Sequence, residues 1–190
     1  AFSETGQDWN LPMYRWDVIA AGGYVWLRQR AQRMAALFDA IRVDHVVGFY
    51  RTYGKQASGP PFFSPADEAD QLRQGEAIMQ IMLGSGALVI AEDLGTVPDF
   101  VRASLARLGI PGSKVLRWER SWDRPGAPLI EPEQYPRVSA AFTGTHDTQP
   151  PAVWWERPWA SDRAATMRLL RTQEDFRRRA ADDPDQPWSD

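Results

Sequence analysis

"ALVIAEDLG", residues 87–95, is apolar for five positions and meets charge only at Glu92 and Asp93. A short apolar run closed by a glycine reads as a buried strand whose polar residues are confined to its C-terminal end. Two other stretches repeat that design. "AIRVDHVVGF" (40–49) is β-branched and is expected to end as a strand near Asp44, and "VSAAFTGTHD" (138–147) runs out into His146-Asp147. "SKVLRWE" (113–119) reads as a further strand.

Helical spacing fills the intervals. A helix is expected over about 22–38, with Val25, Met34, Leu37 and Phe38 on one stripe. Another is expected over 67–83, with acids in its first turn where the macrodipole favours them. A third, over 97–110, is opened by Pro98 and closed by Gly109. The stretch "GKQASGPPFFSPA" (54–66) reads as a loop, and 161–183 as a polar terminal helix. Strand and helix therefore alternate, with strands apolar throughout. Such strands are expected to be covered on both faces, as in a parallel α/β sheet. In a parallel barrel the chemistry collects at the C-terminal strand ends, where the βα loops surround one mouth.

Composition narrows the function classes. The 190-residue chain is 43% hydrophobic, which suits a globular core, and its net charge of −3 gives little support to a nucleic-acid partner. The absence of cysteine removes disulfides, thiolate nucleophiles and thiolate zinc sites. No run approaches the roughly 18 apolar residues of a membrane span, and no export signal opens the chain, so a soluble, cytoplasmic protein is expected. Ala1 and the loop-like opening suggest a piece of a longer protein. Nine tryptophans exceed the usual need of a core this size, so some are expected on a binding surface. The oligomeric state is left open.

Asp44, Glu92 and Asp147 occupy equivalent positions at three strand ends. In a closed barrel they would converge. Two carboxylates about 5–5.5 Å apart suit double displacement at a sugar carbon, one attacking while the other protonates the leaving oxygen. A third can stabilise the charge developing on the ring. Arg42 lies two residues before Asp44, so in a strand both point the same way, and its guanidinium would favour the ionised nucleophile. Glu92 follows an apolar run whose desolvation would raise its pKa toward that of a working acid. Asp44-His45 and His146-Asp147 also invite a metal. Two histidines without a thiol or i, i+4 spacing argue against one, and no metal is expected. His146 is then expected to bond a sugar hydroxyl or to orient Asp147, and Trp154-Trp155 to pack under that loop or stack on sugar.

"GQDWNLPMYRWD" (6–17), "RVDHVVGF" (42–49), "VIAEDLGTVPDFVR" (89–102), "GIPGSKVLRWE" (109–119) and "FTGTHDT" (142–148), in this order, resemble the 4-α-glucanotransferases of glycoside hydrolase family 77, the amylomaltases or disproportionating enzymes. The resemblance runs from about residue 3 to about 156. It implies a (β/α)8 TIM barrel that cuts an α-1,4-glucan, holds the new end as a glycosyl-enzyme and passes it to another glucan's 4-hydroxyl. It further implies Asp44 as nucleophile, Glu92 as general acid/base and Asp147 as transition-state stabiliser. Arg42 and His146 would hold the sugar beside the scissile bond, with contacts from Gln7, Trp9, Asn10 and Asp93. It requires no cofactor. Asn10 stands where the family usually has Gly, and Gln149 where many relatives have Glu or Asn-Asp.

By the same resemblance the chain carries about barrel strands four to seven, with residues 1–160 a C-terminal part of the catalytic domain and 161–190 a helical continuation and tail. A barrel takes roughly 250 residues, so an incomplete one is expected, and activity of the isolated fragment is doubtful. Three other readings use the same residues. An α-glucan hydrolase would let water be the acceptor, a metal-dependent phosphohydrolase would use the His-Asp pairs, and a non-catalytic glucan-binding piece would rest on the tryptophans.

Overall fold

In a computed structural model, residues 6, 8–156, 160–171 and 178 are described. The chain falls into two compact units. Unit 1 comprises Ala1–Ser113 with Val138–Ala140, and unit 2 comprises Lys114–Arg137 with Ala141–Asp190. A helix begins at Ala160 within unit 2.

Unit 1 opens with α1 (Trp16–Ala21) and α2 (Val25–Ala35). The helix expected over 22–38 is α2, shorter than expected, and α1 precedes it. Gly22-Gly23 separate them, and Gly23 (φ 69°) and Tyr24 (φ 55°) take left-handed backbone that a helix cannot contain. Strand β1 (Ala40–Val43) is followed by a short helix, α3 (Val47–Tyr50). The expected loop at 54–66 contains half of an antiparallel hairpin, β2 (Thr52–Gly54) with β3 (Phe62–Ser64). Then come α4 (Glu68–Leu83), β4 (Leu88–Ala91) and α5 (Asp99–Arg107), as the sequence predicts within a few residues. On α4, Gln71, Gly75, Ile78 and Met82 form a buried stripe at spacings of four, three and four.

Strands β1 and β4 pair in parallel from Ala40↔Leu88 to Val43↔Ala91, and β4 pairs in parallel with β5 (Gly112–Val115) through Ala91↔Gly112. The sheet order is β1-β4-β5-β6, with β6 at Ser139–Phe142. Both later strands are shorter than expected, because Leu116, Arg117 and Trp118 turn after β5 and His146 and Asp147 lie in a turn after β6. Unit 2 adds a 3-10 turn at Pro132–Gln134, α6 (Pro151–Glu156) and α7 (Ala160–Leu170). The rest of the expected terminal helix lies outside the described residues. No helix among the described residues is long and apolar enough to cross a membrane.

One expectation is corrected by burial. Along β1 and β4 exposure alternates: Ile41, Val43, Val89 and Ala91 are buried, while Ala40, Arg42 and Leu88 are exposed. The strands are therefore covered on one face and not on both. Each larger side chain buried on the covered face contributes about 1.5–3 kcal/mol. The core there is pinned by Tyr50, which is fully buried and edge-on to Phe100 at 6.3 Å. Its hydroxyl lies 2.9 Å from Ser104 Oγ, which donates to Glu76 Oε1 at 2.8 Å, and Arg107 pairs with the same carboxylate. A side chain on Gly75 would overlap the Tyr50 ring, so α3 and α4 approach through that glycine.

Candidate active site

Residues paired across neighbouring parallel strands share a face, so the open face carries Ala40 beside Leu88 and Arg42 beside Ile90. One step further, past Val43 and Ala91, the same register brings out Asp44 and Glu92. The backbone holds it there: Glu92 N donates to Val43 O at 2.8 Å and Val46 N to Glu92 O at 3.1 Å. Adjacent strands lie about 4.8 Å apart. The two carboxylates consequently leave neighbouring strand ends on one face.

Asp44 is exposed, and its Oδ1 accepts a hydrogen bond from Arg42 Nη1 at 2.5 Å, the pairing that i, i+2 spacing expects. Glu92 is half-buried rather than wrapped by its apolar run. Its Oε2 accepts the His45 amide at 2.7 Å and its Oε1 the Leu94 amide at 3.0 Å. His45 itself takes left-handed backbone, φ 44°, just after β1. The His45 ring lies 4.7 Å from Trp9, and a Cβ on Gly48 would come within 3.0 Å of it. Burial holds the His45 imidazole below its usual value of 6.5, against the opposite pull of Glu92 and Asp44.

Beside Asp44 and His45 lies a cavity of about 280 Å³, lined also by Trp9, Tyr14, Trp16 and Tyr53. Such concave, aromatic space with few polar groups suits the apolar face of a sugar. Asn10, on the same loop as Trp9, has φ 54° and donates its amide to Asp8 Oδ1 at 2.8 Å. Asn tolerates left-handed backbone better than most residues, which suits it to this position.

Asp93 departs from its expected place in a binding surface. It is 7% exposed, and its carboxylate accepts the Ser113 amide at 2.8 Å and faces Arg102 Nε at 3.7 Å. A Cβ on Gly112 would come within 2.7 Å of it. It stands on the covered face with Ala91, joining β4, β5 and α5. Gln7 lies outside the described residues.

Unit 2 carries His146 and Asp147, both exposed, with His146 Nε2 at 3.3 Å from Asp147 Oδ1. Asp147 N donates to Thr145 Oγ1 at 3.3 Å. Trp154 and Trp155 follow on α6, half-buried, with ring centroids 6.0 Å apart. Among the described residues, no three His, Asp or Glu side chains cluster as a metal site would need. The amide of His45 and the side chains of Arg117 and Thr148 are the contributors that residue types did not single out. A left-handed backbone at His45 has no signature in the sequence.

Residues 1–188 match the family described as 4-alpha-glucanotransferase, glycoside hydrolase family 77. The chain belongs to this family. It is 35% identical to the 4-alpha-glucanotransferase of Chlamydia pneumoniae over 155 residues, covering 81% of this chain and 29% of the relative. Against the 4-alpha-glucanotransferase of Thermus thermophilus it is 36% identical over 175 residues, covering 89% and 34%. The chain thus spans about a third of the length of the curated 4-alpha-glucanotransferases it matches. Among solved structures, an amylomaltase from Corynebacterium glutamicum superposes with a TM-score of 0.65 at 27% identity, covering 95% of this chain and 25% of that one. The amylomaltase from Streptococcus agalactiae in complex with acarbose has a TM-score of 0.64 at 24% identity, covering 92% and 35%, a likeness of fold. The parallel α/β arrangement fits a portion of their TIM barrel.

Proposed function

We propose that the protein is a 4-α-glucanotransferase acting on α-1,4-glucans, both as donor and as acceptor, in the cytoplasm. The observation that carries this reading is the pairing of Asp44 and Glu92 at adjacent parallel strand ends on one open face. Asp44 attacks the anomeric carbon, and its C–O bond forms as the glycosidic bond breaks. Glu92 gives its proton to the departing 4-oxygen. Another glucan's 4-hydroxyl then attacks the glycosyl-Asp44 ester, Glu92 takes up its proton, and the Asp44 carboxylate is released. Each Glu92 oxygen keeps a lone pair beyond its amide bond, so anchoring leaves room for the proton.

Arg42 keeps Asp44 oriented for attack. Asp147 stabilises the oxocarbenium-like charge, and His146 fixes Asp147 or a sugar hydroxyl. Trp9 supplies a ring against which a glucosyl unit stacks. The Streptococcus agalactiae amylomaltase, which shares this fold, is in complex with acarbose, and this supports a sugar-binding site here. No step calls for a metal or an organic cofactor.

The test is chromatography of products after incubating maltotriose with the full-length protein and its Asp44→Asn variant. Longer maltooligosaccharides with glucose are expected, and the substitution should abolish them. Turnover that survives Asp44→Asn overturns the nucleophile assignment, and shorter products alone would indicate hydrolysis.

A further inference from the structure

The loop bearing His146 and Asp147 is built around one guanidinium. Arg117 follows β5, and its Nε donates to Thr143 O at 3.3 Å while its Nη2 donates to Gln149 O at 2.8 Å and reaches Thr148 Oγ1 at 3.4 Å. These acceptors flank His146-Asp147 on both sides. The back of the guanidinium lies over the Trp154 ring, with Cζ 4.9 Å from its centroid. Inside the loop, the Thr148 hydroxyl accepts the Thr145 amide at 2.9 Å and donates to Thr145 O at 2.8 Å. Gly144 makes room for both: a Cβ there would fall 2.6 Å from Thr148 Oγ1 and 2.7 Å from Arg117 Nη2.

We propose that Arg117 is the positioning residue that fixes the 143–149 loop, and with it Asp147, in the shape required for glucan transfer. This rests on the assignment of Asp147 as the transition-state stabiliser. The planar fork of arginine reaches acceptors spread along the loop while its flat face lies on an aromatic ring, and a compact ammonium has no such plane. Asp147 is itself solvent-exposed, so its location follows from the loop and not from a packed environment. A misplacement of about 1 Å can cost on the order of 100-fold in rate.

The experiment compares Arg117→Ala, Arg117→Lys, Thr148→Val and Asp147→Asn in the full-length protein, with maltotriose as substrate. Arg117→Ala is expected to lower kcat by about 10- to 100-fold with KM within about twofold, and added guanidinium ion should restore part of the rate. Arg117→Lys should recover little. Thr148→Val should lower kcat in the same direction by a smaller factor, and it decides the matter if Arg117→Ala does not fold. A folded Arg117→Ala enzyme with parental kcat, no response to guanidinium, or a parental kcat in Thr148→Val would overturn the proposal. Undiminished transfer by Asp147→Asn would instead overturn the assignment of Asp147. The anchor is then judged by hydrogen exchange at the Thr145 and Thr148 amides, which should quicken in Arg117→Ala and would refute the anchor if unchanged.

Discussion

Glu92 in unit 1 and Asp147 in unit 2 both follow the end of a strand, yet they are held by different kinds of atoms. Glu92 is half-buried and gripped by the backbone amides of His45 and Leu94. Asp147 is exposed, on a loop whose shape comes from the side chains of Arg117, Thr145 and Thr148. A main-chain grip survives a change of side chain, provided the backbone keeps its angles. A side-chain scaffold fails when one of its members is replaced. The hold on Glu92 is thus built to tolerate substitution around it, whereas the Asp147 loop depends on single residues.

The largest effect should come from the anchored group itself. Glu92→Gln keeps an acceptor for one amide but loses the proton, and transfer from maltotriose should fall by about 10²–10⁴-fold. Similar thermal stability of the variant and its parent would assign that loss to chemistry and not to position. A rate within a few-fold of the parent would break the comparison at its root.

A smaller effect separates backbone from side chain. His45→Val places a β-branched residue at φ 44° and should cost about 1–2 kcal/mol of stability by chemical denaturation. His45→Asn, which tolerates that conformation, should lose less and keep most of the transfer rate. Equal losses in the two variants would show that the ring, and not the amide, secures Glu92.

The smallest effect is acid sensitivity. The His45 imidazole titrates below 6.5 in the folded protein because it is buried, so the unfolded chain takes up the proton first. Stability should therefore decline as pH falls from about 6.5 toward the lower folded value, and be unaffected by this group above it. His45→Gln should flatten that part of the profile in thermal melts at several pH values. An unchanged slope would mean that the ring stays accessible to water.

Much of this was legible in the sequence because strand ends announce themselves where apolar runs meet charge. Asp44 and Glu92 both emerge one residue past a strand, and α4 and α5 follow their charge and proline signals closely. Adjacent carboxylates were harder. Glu92 and Asp93 look alike as residue types, but the pleat turns one toward the open face and the other inward to Ser113. The hairpin of β2 and β3 was hidden because each strand has only three residues, too few for an alternation to show. Arg117 gave no signal, since an arginine at a strand end reads as an ordinary surface charge and its acceptors are carbonyls some 30 residues away.

The left-handed turn at His45 also bears on how the site can diversify. Because the backbone there admits chiefly Gly, Asn, Asp and His, the alphabet at this position is short. Within it, each letter presents a different surface to Trp9 and the cavity while donating the same amide to Glu92. Under the proposed glucanotransferase reading, sugar preference and proton transfer are therefore separable inheritances of one residue, and selection can revise the first without rewriting the second.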